Sequence, residues 1–69
     1  MDDAMKLRLA AFERMLEDAD AELTEVVRML EEQKSQGRTK TVTFKQLLAS
    51  KMQLSNLMQR YRDYGLIQL

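Results

Sequence analysis

The side chains that could do chemistry in this chain are carboxylates, hydroxyls, amines and two tyrosines. The sequence has no His and no Cys. That removes the commonest general base, the thiolate nucleophile and the ordinary zinc, haem and disulfide sites. Two acidic clusters remain, Asp18/Asp20/Glu22 and Glu31-Glu32. Paired carboxylates can act as acid and base or hold a cation. A carboxylate-bridged metal site in a helical bundle, however, draws on Glu-x-x-His, which is absent. Gly37 and Gly65 are the only glycines, so no glycine-rich loop can cradle a phosphate. The clusters therefore read as solvated helix faces. The expectation is a protein that is not an enzyme, with no catalytic residue, no cofactor and no metal.

Basic residues near aromatics are the second kind of chemistry. Arg38, Lys40 and Lys45 gather in one stretch, and Arg60, Tyr61, Arg62 and Tyr64 in another. Such groups bind phosphates and stack on bases. Eleven basic residues are balanced by eleven acidic ones, though, and the zero net charge lacks the electrostatic footprint of a nucleic-acid binder. A membrane-surface role meets the same objection, because the acidic first half would be repelled by anionic lipid.

The charge is unevenly spread. Residues 1 to 34 hold ten acids and five bases, a net of −5; residues 35 to 69 hold one acid and six bases, a net of +5. The simplest expectation is two halves that lie against each other. Each exposed pair contributes only about 0.2–1 kcal/mol, but opposite charge helps select which helix lies beside which.

The elements that carry these groups are helices. Met5, Leu9, Phe12, Leu16, Ala19, Leu23, Val26 and Leu30 follow alternating steps of four and three, without Pro or Gly between them. A 3.5-residue period lines one stripe of a helix and favours packing on another helix. Met15, Val27 and Met29 widen the stripe. The first helix is expected over residues 3–34, capped by Asp2 or Asp3 and stopped by Gly37. Asp2–Lys6, Arg14–Asp18 and Arg28–Glu32 are its i, i+4 ion-pair candidates. A loop follows at 35–42.

The second helix is expected over 43–64. Thr43-Phe44-Lys45-Gln46 fits a capping box, with Val42 and Leu47 placed as a hydrophobic staple. Gly65 fits a left-handed terminator, with Leu66 placed over Tyr61 as the hydrophobic contact of a Schellman ending. The tail at 65–69 is apolar and is expected to lie on Met5 and Leu9. An antiparallel pairing centred near Arg38 sets Leu30 by Leu47, Ala19 by Met58 and Leu16 by Tyr61. The hairpin seam then comprises Leu9, Phe12, Leu16, Ala19, Leu23, Val26, Leu30, Leu47, Leu54, Met58 and Tyr61.

The apolar arc of the second helix spans roughly 240° at 100° per residue, more than one neighbour can cover. Phe44, Leu48, Met52, Leu57 and Tyr64 lie at its edges and form the expected partner or self-association interface. Sixty-nine residues make one small domain, of a size that commonly relies on regular helix packing or oligomerisation. No apolar run reaches the ~18–20 residues of a membrane span. The acidic start Met1-Asp2-Asp3 is unlike a secretory signal, and the absence of Cys suits the cytoplasm.

The expected fold is all-α: a coiled-coil-like antiparallel two-helix hairpin that dimerises into a four-helix bundle. The expected function is a non-enzymatic protein–protein interaction module, a small self-associating adaptor or regulator. Its partners would be further copies of itself, as a dimer or tetramer. The alternative is a small subunit or co-chaperone that shields an apolar helix of a partner protein in a secretion- or phage-type assembly. Weak nucleic-acid or membrane-surface binding is a further, lesser alternative.

Overall fold

In a computed structural model of the chain, residues 2–67 are described. They form two α-helices, α1 (Asp3–Ser35) and α2 (Val42–Asp63), packed against each other, with no strand among the described residues. The molecule is a rod, 53 × 20 × 17 Å, with a radius of gyration of 15.5 Å. A compact chain of this length would have a radius of gyration of about 11 Å.

Local chemistry sets the helix ends. The Asp2 carboxylate accepts from the Met5 backbone N–H at 2.8 Å, satisfying one of the orphan donors at the start of α1. At the other end Gly37 has φ +72°, a conformation that costs a glycine little. Arg38 N–H donates to the Gln33 carbonyl at 2.9 Å and Gly37 N–H to that of Lys34 at 3.0 Å. This is the paired bonding of a Schellman ending. Helix α2 ends identically: Gly65 has φ +71°, Leu66 N–H donates to Tyr61 O at 2.9 Å and Gly65 N–H to Arg62 O at 2.9 Å.

The start of α2 differs from the expected capping box. Thr41, not Thr43, is the N-cap; its hydroxyl accepts from Phe44 N–H at 3.1 Å. The helix thus begins at Val42, and Val42 is 69% exposed rather than stapled to Leu47. Both candidate caps are threonines, so capping energy scarcely separates them. The earlier start carries Phe44 inside the first turn, where it is buried against α1. Burying a Phe side chain is worth about 1.5–3 kcal/mol, more than the second bond of a capping box adds.

The hairpin core is a narrow seam. Leu16, Ala19, Val26 and Leu30 are buried on α1, Phe44 and Met58 on α2. Val26, Leu30 and Phe44 cluster at the loop end, with Leu47 and Leu54 packed beside them. Toward the other end, the Phe12 and Tyr61 rings meet edge to face, with centroids 5.9 Å apart at 79°. Tyr61 was expected opposite Leu16; its ring partner lies one helical turn nearer the N-terminus. Ala19 and Met58, the expected small-on-large pair, are 7% and 1% exposed.

The helices have unequal lengths, 33 and 22 residues. They share the loop end, so about 16 Å of α1 runs on past α2, counting 1.5 Å per residue. Every residue from Asp2 to Ala11 is exposed. Met5 and Leu9 continue the seam but lie on this uncovered stretch, so Leu9 is not part of the packed seam. Of the tail expected to cover them, Leu66 is exposed and Ile67 half-buried; Gln68 and Leu69 lie outside the described residues.

Candidate functional site

The candidate site is a surface rather than a cleft. The depressions on the rod are shallow and open; one is lined by Met5, Arg8, Leu9 and Phe12, another by Gln53, Asn56, Leu57 and Arg60. Among the described residues no group of three or more carboxylates could hold a metal ion. No helix of the described residues is long and apolar enough to cross a membrane.

Five α2 residues were expected to form one interface, and the structure separates them. Phe44 is in the core, 8% exposed, with Val26 and Leu30. The reason is the Thr41 cap, which aims the first turn of α2 at α1. The other four stay exposed: Leu48, Met52, Leu57 and Tyr64. Relative to buried Met58, Leu48 and Met52 lie about 80° and 120° to one side, Leu57 and Tyr64 about 100° and 120° to the other, at 100° per residue. They therefore belong to opposite faces of the hairpin.

Residues of α1 complete each face. Relative to buried Leu30, Val27 lies about 60° to one side, Met15 and Met29 about 60° and 100° to the other. Because the helices are antiparallel, offsets of the same sense fall on the same face. The first face thus carries Val27, Leu48 and Met52, with Leu9 further along the rod. The second carries Met15, Met29, Leu57 and Tyr64. All of these are exposed to between 36% and 77%. Sequence periodicity gave a single broad arc because it cannot say where in that arc the neighbouring helix sits.

Most charged groups stay off the seam. Arg28 bridges Glu25 at 2.6 Å and Glu32 at 3.0 Å, and Lys34 bridges Glu31 at 3.2 Å. Of the three i, i+4 pairs expected on α1, only Arg28–Glu32 is among the ion pairs of the described residues. None of these ion pairs joins α1 to α2, despite the opposite charge of the halves. The hydrogen bond from Arg28 holds the Glu25 carboxyl below the usual carboxylate range, and the pairing raises Arg28 further. Lys51, inside the apolar arc, is exposed and reaches out from it. Arg62 is half-buried; one of its guanidinium nitrogens donates to Gln59 Oε1 at 3.1 Å, and its Nε has no partner among the described residues.

Such a surface can bind by burying apolar area, with charge setting orientation. The whole chain exposes 5660 Å². A compact monomer of 8.1 kDa exposes about 4500 Å² by size scaling, so the surplus is about 1150 Å². Comparison with protein families, characterised proteins and solved structures finds no match for this chain.

Proposed function

We propose that the protein is a small, non-enzymatic protein–protein interaction module that works as a self-associating helical adaptor or regulator in the cytoplasm. The observation that carries this reading is the surplus of exposed surface together with its apolar flanks. A standard interface takes about 800 Å² from each partner, which the surplus of this hairpin exceeds. Two hairpins in face-to-face contact make a four-helix bundle in which every helix has two neighbours. That geometry consumes one flank of each helix.

Light scattering on a size-exclusion column, over a range of concentrations, tests the reading. A mass of twice or four times 8.1 kDa supports it. A chain that remains monomeric at all concentrations overturns it. Leu48→Asp together with Met52→Asp should abolish assembly while leaving the hairpin partly helical by circular dichroism. If assembly survives the double change, the face is wrongly assigned.

A second reading rests on the second face. A dimer built through Leu48 and Met52 leaves Met15, Met29 and Leu57 in water. Flexible methionines suit an adaptable groove for an apolar helix of another protein. A subunit or co-chaperone that shields such a helix would use this face. Met15→Glu would then release the partner without changing the dimer mass.

A further inference from the structure

We infer that the second copy docks on the Val27–Leu48–Met52 face with both loops at the same end, α1 of each copy lying over α2 of the other. The inference rests on the self-association proposed above and fixes its geometry. Face-to-face hairpins with two-fold symmetry have two arrangements. If the axis runs along the helices, the loops share an end and α1 covers the other copy's α2. If it runs across them, the loops are at opposite ends and each helix covers its own equivalent.

Charge distinguishes the two. Helix α1 carries nine acids and five bases, and α2 carries four bases and one acid. Like over like sets a net −4 against −4 and +3 against +3. The crossed arrangement sets each against its opposite. These charges are uncommitted between helices within one chain, since the ion pairs of the described residues all lie inside α1. They are also on the right face. Glu13, Asp20 and Glu31 lie about 80–100° from the seam centre on the Val27 side of α1. Lys45 and Lys51 bracket Leu48 on α2, and all five are exposed. The second face lacks this match, because of its α2 residues only Arg60, at the outer edge, is basic.

The overhang points the same way. With the loops together, the two projecting ends of α1 stand side by side beyond both copies of α2. Each presents Met5 and Leu9 along the line that α2 has vacated, so each can cover the other. With the loops apart, each overhang projects alone and its exposed Met5 and Leu9, 55% and 46%, gain no cover from the other overhang.

The chain has no Cys, so Thr39→Cys in the exposed loop accepts a single spin label in the otherwise intact protein. Pulsed dipolar spectroscopy should give an intermolecular distance below about 25 Å, set by helix spacings of ~8–10 Å and the label arms. A distance of about 33 Å or more, the length of α2 at 1.5 Å per residue, would leave self-association standing and overturn the orientation. A monomer by light scattering would overturn both. Lys45→Glu with Lys51→Glu should weaken dimerisation about tenfold, and adding Asp20→Lys with Glu31→Lys should restore most of it. Failure of that rescue would overturn the pairing of α1 with the other copy's α2.

Discussion

The loop end and the N-terminal end of α1 are written in the same pattern and have opposite fates. Around Val26 and Leu30 the heptad stripe is 8% and 3% exposed, closed over by Phe44, Leu47 and Leu54. Around Met5 and Leu9 the same stripe is 55% and 46% exposed. Neither end has a Pro or Gly within the helix, and the steps of four and three never break. What differs is the length of the second helix. A periodic stripe states that a partner is wanted; only the count of residues on the facing element states whether the chain supplies it.

The largest effects should appear where the stripe is closed. Met58→Ala, at the most buried side chain of the hairpin, should cost about 2–4 kcal/mol in denaturant unfolding at fixed protein concentration. Leu9→Ala on the open stretch should cost below about 0.5 kcal/mol in the monomer. Measuring both under dimerising conditions sharpens the contrast, because any added cost at Leu9 reports cover supplied by another copy. Equal costs at the two sites in the monomer would break the distinction between the ends.

A smaller effect is expected at the turn that closes the loop end. Gly37 has φ +72° and open space where a Cβ would stand, so Gly37→Ala meets no clash and pays only backbone strain. The expected loss is about 1 kcal/mol, read as a shift of the denaturation midpoint. A neutral result would mean that the turn relaxes to another conformation.

The smallest effect concerns the exposed Glu25–Arg28–Glu32 group on α1. The Glu25 carboxyl is held low by its bond from Arg28. A depressed carboxylate contributes stability that is present above its unfolded value and fades as pH falls through its folded value. The gap in helicity between the protein and Arg28→Gln should therefore be open at neutral pH and close in the acid range below the ordinary carboxylate values. A gap that persists in strong acid would assign Arg28 a role other than this pairing.

Much of the hairpin was legible in the sequence because it rests on short-range chemistry. Asp2 caps, Gly37 and Gly65 terminate, and both helices fall within a residue or two of their expected limits. Thr41 and Thr43 offered two caps of equal chemistry, and the choice was made by burial of Phe44, a contact 14 residues away at Leu30. Register is less legible: moving one helix by a turn keeps the stripe in contact, and the packing of Phe44 and Leu47 with Val26 and Leu30, together with the Phe12–Tyr61 ring contact, shows where it stops. The separation of Leu48 and Met52 from Leu57 and Tyr64 was invisible because a period fixes directions around one axis, not the position of the neighbour. The absence of ion pairs between the helices follows from geometry too, since the facing stripes are apolar and the charges lie on the outer sides.

The six-residue connection between α1 and α2 also orders events in time. Contacts between the helices are nested around it, so the pairs nearest the loop close the shortest segments and lose least chain entropy. Loops of this size close in tens of nanoseconds, far faster than a distant pairing is found by search. Assembly of the hairpin then runs as a zipper from Phe44 and Leu30 outward, and disassembly starts at Phe12 and Tyr61. Truncations at Phe44 should slow folding, whereas truncations at Tyr61 should mainly hasten unfolding.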